Sequence, residues 1–177
     1  MAVLSDIDQA FVLHWGEMGT RWGINRTVAQ IHALLYLSPE PLNADQIIEA
    51  LGVARSNVSN SLRELQGWRL VKVVHVLGDR RDHYESLKDV WEMFQVILDE
   101  RKKRETDPTL QVLTELVGKT RKTRACNAYT AERLKDMLEF FEAMSVWYTQ
   151  VRKLPTRSLV RFIKMGDRLG KIIGLKR

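Results

Sequence analysis

Residues 43–68 read NADQIIEALGVARSNVSNSLRELQGW, two short amphipathic segments separated by a glycine. Asn43 is placed to cap a helix, and Gln46, three residues later, can bond back to the backbone of Asn43 as a capping box. Gly52 follows the first segment where a left-handed residue ends a helix at low cost. The stretch therefore predicts a helix, a tight turn and a second helix that starts near Arg55.

The second helix has two unlike faces. At 100° per residue, Val58, Leu62 and Leu65 form a narrow apolar stripe. Short polar and cationic side chains share the other side, and these are the candidate DNA contacts: Arg55, Ser56, Asn57, Ser59, Asn60 and Arg63. An ordinary solvated face usually carries Glu and Lys, whereas Ser and Asn are poor helix formers. The pattern favours a helix that enters the major groove, where Asn pairs with adenine and Arg with guanine or phosphate.

A β-hairpin is predicted directly after this helix. Residues 70–77 are mostly apolar and β-branched, residues 78–82 (GDRRD) form a turn signal, and residues 83–87 can return as a second strand. The order of helix, turn, helix and hairpin is that of a winged helix-turn-helix.

The predicted wing carries two arginines that can contact DNA. Arg80 and Arg81 can reach phosphates or the minor groove beside the recognition helix. Asp79 and Asp82 flank these arginines and offset their positive charge. An alternative is therefore that the mixed charges only keep the hairpin tip soluble.

The rest of the chain is predicted to be helical. Apolar residues recur at helical spacing over residues 5–21 (Ile7, Ala10, Phe11, Leu13, His14 and Met18). A helix from Val90 is expected to end in the charged run at 100–105, and Asp107 with Pro108 to open another. A third helix, beginning at Thr130, carries a heptad-like seam of Leu134, Met137, Phe141, Met144, Tyr148 and Val151.

These elements predict a mainly α fold with a small β-hairpin wing. Residues 26–88 form the DNA-binding domain, residues 1–25 an N-terminal dimerisation helix, and residues 89–177 a helical dimerisation and regulatory region. Pro155 is expected to precede a final basic amphipathic helix. The heptad-like seam is the main reason to expect a homodimer.

Composition excludes several other classes. The net charge is +6, but nine basic residues after Gln150 stand against Asp167 alone, so the rest of the chain is slightly acidic. Cys126 is the single cysteine, and the four histidines have no metal-ligand spacing. Neither a nucleophile-elbow motif nor a phosphate-binding glycine loop is present. We expect no enzyme activity and no cofactor or metal, and a cytoplasmic protein without a signal peptide or membrane span.

Residues 22–94, which contain these motifs, resemble the GbsR type of MarR-related regulators over about two fifths of the chain. The resemblance implies a dimeric winged-helix repressor with a DNA-reading helix at 55–68 and with Arg80 and Arg81 in its wing. Related proteins control osmoprotectant genes, and some respond to choline. One departure is Ala54, where such helices often begin with Ser, so a weaker helix start is expected.

The sequence therefore predicts a homodimeric regulator, most simply a repressor, that binds double-stranded DNA. The main alternative is a winged helix that docks proteins without touching DNA, and a third is a protein that binds membrane surfaces through its basic tail. A small-molecule effector stays open and unidentified. The aromatic residues Phe140, Phe141, Trp147 and Tyr148 fit a core or dimer seam better than a cage for choline.

Overall fold

The computed structural model describes residues 4–120, 127–155, 157, 158 and 161, and confirms a mainly helical chain with one small sheet. The helices are α1 (Asp6–Arg21), α2 (Arg26–Leu37), α3 (Ala44–Leu51), α4 (Arg55–Gly67), α5 (Val90–Arg101), α6 (Asp107–Thr120) and α7 (Ala128–Arg152). The strands are β1 (Leu42–Asn43), β2 (Val71–Val74) and β3 (His83–Ser86). The final basic helix, residues 121–124 and Cys126 lie outside the described residues, apart from isolated positions after Pro155.

The helix-turn-helix forms as its local signals predict. Asn43 Oδ1 accepts a hydrogen bond from the Gln46 backbone N–H at 3.1 Å, and Gln46 Oε1 accepts one from the Asn43 N–H at 2.8 Å. Gly52 ends α3 in the left-handed conformation at φ +63°. Ala54 precedes α4 without a side-chain cap, as expected from the absence of a hydroxyl at that position. Ile47 of α3 is fully buried, and so joins the core beneath the turn.

The wing belongs to a three-stranded antiparallel sheet rather than a two-stranded hairpin. The strand order is β1-β3-β2, and β1 pairs Leu42 with Tyr84 and Asn43 with His83. A two-residue strand leaves no periodic signal, so the sequence did not reveal it. Its effect is to join the wing to the N-terminus of α3.

Lys88, just after β3, ties the wing to α2. Its Nζ donates hydrogen bonds to the carbonyl oxygens of Leu35 at 2.8 Å, Tyr36 at 3.0 Å and Ser38 at 2.5 Å. These carbonyls lie at the C-terminus of α2, where the helix dipole favours a cation. Because α2 has no basic residue in its last turn, Lys88 supplies the positive charge at this helix end.

Helix α1 turns a different face inward from the one predicted. Val12, Gly16 and Gly19 are buried, whereas Leu13 is half-exposed and Ile7 is 81% exposed. A Cβ on Gly19 would lie only 2.5 Å from the Cβ of Ala29 in α2. The two glycines let the helix backbones approach closely, and this contact sets the rotation of α1.

Replacing Gly19 with Ala should lower the free energy of unfolding by about 1 kcal/mol, because overpacking at Ala29 outweighs the better helix propensity of Ala. Gly118 in α6 is the matched control, since its Cβ would meet no atom within 4 Å. Gly118→Ala should leave stability unchanged or raise it slightly. Urea denaturation of both variants measures the difference, and equal behaviour would contradict the close contact.

The chain divides into two compact units, residues 1–98 and 99–177. In the first, a core that includes Ile31, Leu34, Ile47, Val58 and Leu62 lies beneath the helix-turn-helix. The first turns of α5 contribute Met93 to this core.

In the second unit, α5 ends at Arg101 within the charged run and α6 begins at Asp107, as predicted, but Asp107 is not the expected non-helical cap. A π-helical turn at Lys102–Thr106 leads directly into α6, and Asp107 has helical backbone angles. Pro108 cannot donate a backbone hydrogen bond, and a widened turn before it accommodates the proline without ending the helix.

Helix α7 packs on α6 of the same chain along much of the seam that was predicted to form a dimer contact. Leu134, Leu138, Phe141, Tyr148 and Val151 are half-buried, whereas Met137 and Met144 of the predicted seam are exposed. Tyr148 donates a hydrogen bond to Asp99, and Arg152 Nε contacts both carboxylate oxygens of Asp99 at 3.1 Å. Desolvation, reinforced by Asp99, raises the pKa of Tyr148 above its usual value. The Tyr148 hydroxyl thus forms its polar contact with Asp99, within the same unit.

Candidate nucleic-acid interface

The outward face of α4 is polar along its whole length. Val58, Leu62 and Leu65 are buried and fix the rotation of the helix. All six residues predicted to contact DNA from this helix are exposed: Arg55, Ser56, Asn57, Ser59, Asn60 and Arg63. The buried stripe lets this face protrude while the short Ser and Asn side chains keep the helix backbone accessible to a ligand.

Two of these side chains already contact one another. Arg63 Nη1 donates to Asn60 Oδ1 at 3.2 Å, one turn apart on the exposed face. Among the described residues, the Asn60 amide nitrogen and the remaining guanidinium N–H groups have no hydrogen-bond partner. The pair presents several donors in a fixed arrangement, which suits acceptor atoms on the edges of bases.

Asp45, in the first turn of α3, joins the start of α4 to the wing. Its Oδ1 lies 2.5 Å from Arg55 Nη2, and its Oδ2 lies 3.8 Å from Arg81 Nη1. All three side chains are substantially exposed, so the pairs contribute little to stability. Their effect is to orient two guanidinium groups toward one carboxylate, and sequence reasoning did not identify this residue.

Arg81 is held a second time by Asp79. Its Nε lies 2.9 and 3.0 Å from the two carboxylate oxygens, and its Nη2 lies 2.5 Å from Oδ2. These hydrogen bonds hold the pKa of Asp79 well below its usual range and raise that of Arg81. Both side chains therefore stay charged at any physiological pH. Asp79 Oδ2 also lies 3.6 Å from Nε2 of His83.

The turn of the wing lies earlier than the sequence pattern predicted. The Asp79 N–H donates to the Val76 carbonyl at 3.1 Å, and Gly78 has φ +86°. The apex is consequently Leu77 and Gly78, and both arginines lie on the returning side. Arg80 is exposed and forms no ion pair with another described residue. Arg81, in contrast, forms ion pairs with Asp45 and Asp79.

A small apolar cavity of about 240 Å³ lies elsewhere in the same unit. It is lined by Phe11, Trp15, His32, Ala33, Tyr36, Val90 and Met93. His32 is 5% exposed, and its Nε2 has no hydrogen-bond partner among the described residues. Burial lowers the pKa of His32 to about 4, so the ring is neutral at pH 7.

Within the ranges that the structure describes, no group of three or more His, Cys, Asp or Glu side chains could hold a metal ion. Among the helices of those same residues, none combines the length and apolar character needed to cross a membrane.

Comparisons with known proteins agree with this architecture. A model described as "MarR family" matches residues 22–82, about a third of the chain. "Putative HTH-type transcriptional regulator YvaV" of Bacillus subtilis (strain 168) is 22% identical over 94 residues, covering 53% of each chain. "HTH-type transcriptional repressor OpcR" of the same strain is 25% identical over 73 residues, covering 41% of this chain and 40% of its own. The chain thus spans about half or less of the length of these relatives.

A solved structure, "Crystal Structure of a transcriptional regulator", is similar in fold to this chain. Its TM-score is 0.59 at 18% identity, and the match covers 89% of this chain and 99% of the other. At this identity the likeness concerns the fold alone.

Proposed function

We propose that this chain, in which residues 22–82 carry a winged helix-turn-helix of the MarR family, is a sequence-specific DNA-binding transcriptional regulator. The observation that carries the proposal is the protruding face of α4, on which every outward residue from Arg55 to Arg63 is polar or cationic. Such a helix fits the major groove, where Asn60 and Arg63 would meet base edges and Arg55 would meet phosphate. The shorter Ser56, Asn57 and Ser59 would allow close approach and bond to backbone or bases.

The protein-docking alternative is not favoured. A docking surface normally centres on apolar and aromatic side chains. The outward face of α4 carries none between Arg55 and Arg63. An absence of any preferred DNA sequence would restore this alternative.

We further propose that the protein acts as a cytoplasmic homodimeric repressor of the GbsR type. Two features support dimerisation: Ile7 and Leu13 are exposed on α1, and Phe140, Val146 and Trp147 are exposed on α7. On this proposal residues 26–88 bind DNA, and residues 1–25 and 89–177 form the dimer. The subtype rests on the resemblance of residues 22–94, and the repressor role agrees with the name of one relative.

Control by a small molecule fits the cavity beside His32. Its lining is almost entirely apolar, and the unpartnered Nε2 offers one hydrogen bond to a neutral ligand. A ligand there would contact α1, α2 and α5 together, so it could bias the spacing of two recognition helices in a dimer.

Selection of fragments from a random DNA pool by the purified protein tests the function. The expected result is a palindromic consensus whose half-sites lie about one helical turn apart or a multiple of it. Sedimentation at micromolar concentration should give a dimer. If no sequence were enriched, the proposed sequence-specific DNA binding would be contradicted. If a monomer bound the consensus, only the proposed dimerisation would be contradicted.

The two wing arginines should differ in their contribution to salt-dependent binding. Arg80→Ala should reduce the slope of log affinity against log salt by about one unit, with equal loss on operator and random DNA. Arg81→Ala should reduce the slope by less, because Arg81 must leave Asp79 and Asp45 before it binds phosphate. Lys135→Ala, which removes a cation in α7, is the control. Unchanged slopes for both wing variants would mean that the wing points away from DNA.

A further inference from the structure

The apex of the wing is apolar although neither the turn nor the core requires it. Leu77 is fully exposed, and the adjacent Val76 is 41% exposed. Gly78 supplies the positive φ of the turn, so position 77 could hold almost any residue. A polar side chain would avoid placing a leucine in water.

The apex of the wing lies on the same hairpin as an arginine that is connected to the outward face of α4. Asp45 contacts both Arg55 at the start of α4 and Arg81 in the wing. In the structure, the returning side of the hairpin therefore lies near the N-terminal turn of the recognition helix. When such a helix lies in a major groove, the hairpin tip reaches the adjoining minor groove.

We propose that Leu77 is an apolar contact in the minor groove, where it packs against deoxyribose and partly enters a base step. The inference rests on the proposed DNA binding and adds a residue to it. Leucine is one of the side chains that wedge between base steps from this groove, and the flexible TA and CA steps yield most easily. Arg80, three residues on and exposed, would hold the neighbouring phosphate and keep the tip in place.

Two other occupants fit the tip less well. A membrane surface would gain little from Leu77 and the partly exposed Val76, because membrane binding grows with the apolar area that is buried. A second copy of the chain would bury Leu77 in a protein contact, but a single leucine beside several charges offers little apolar area for a stable interface.

The test compares Leu77→Ser with Leu77→Met on the operator selected by the wild type. Leu77 makes no core contact, so both variants should fold. Leu77→Ser should bind about tenfold more weakly, as expected when much of a leucine side chain is no longer buried. The salt slope should not change, in contrast to Arg80→Ala, and Leu77→Met should bind like the wild type.

Two further readouts separate a wedge from other roles. A 2-aminopurine base at the flanking step should brighten when the wild type binds and stay dim with Leu77→Ser. Changing a flanking TA step to GG should weaken the wild type and leave Leu77→Ser unaffected. Equal affinity and fluorescence for both proteins would overturn the inference while leaving DNA binding intact, and so would a change in oligomeric state with Leu77→Ser. Failure of the wild type to select any sequence would overturn the proposed function and this inference together.

Discussion

Acidification from pH 6.5 toward pH 4 should remove about 3 kcal/mol of stability through His32 alone. In the unfolded chain this histidine titrates near its ordinary value of 6.5, whereas burial lowers its pKa in the folded protein to about 4. Below pH 6.5 the unfolded state therefore binds more protons than the folded state. Stability from this group is fully present above pH 6.5 and falls until the pH reaches about 4.

His32→Leu isolates this contribution, because all other titrating groups are common to both proteins. The leucine also removes a buried nitrogen that has no partner among the described residues, so the variant should equal or exceed the wild type at pH 7.5. Free energies of unfolding from urea titrations between pH 7.5 and pH 4.5 give the two profiles. Parallel profiles would show that His32 reaches solvent or a partner when it is protonated.

Loss of the Asn60 and Arg63 side chains should weaken specific DNA binding by about 1 to 3 kcal/mol each. Both residues lie on the exposed face of α4, away from Val58, Leu62 and Leu65, so Asn60→Ala and Arg63→Ala should fold normally. Each variant should relax the preference at a different base position. The two side chains are hydrogen-bonded, so the double variant should lose less than the sum of the single losses.

Affinities for the selected operator and for random DNA, measured at one salt concentration, provide the comparison. Lys135→Ala removes a cation from α7 and should leave the ratio of the two affinities unchanged. If Asn60→Ala and Arg63→Ala both kept full discrimination, another element would have to read the sequence.

Local signals allowed the helix-turn-helix to be predicted in detail. The Asn43–Gln46 capping box, the left-handed Gly52 and the buried stripe of α4 all formed as expected. Each depends on residues within one or two turns of one another. The exposure of the six α4 candidates follows from the same stripe, whereas their contacts with DNA stay a prediction.

Features set by distant contacts could not be predicted. The inward face of α1 depends on the fit of Gly19 against Ala29 in the next helix, which hydrophobic spacing does not encode. The double pairing of Asp45 brings together residues from α3, α4 and the wing, and its acidic side chain looks like an ordinary first-turn residue. The cap expected at Asp107 did not form, because a π-helical turn joins α5 to α6 and accommodates Pro108.

The short strand β1 has a mechanical consequence. Asn43 both caps α3 and pairs with His83 of the wing, so one residue belongs to the reading motif and to the sheet. Rotating the wing against α3 would break the backbone pairing and disturb the cap together. The wing root and the helix-turn-helix therefore have no independent hinge at this point and must move as one rigid body. In hydrogen exchange, the amides of β3 that face β1 and those in the first turn of α3 should open in a single cooperative event.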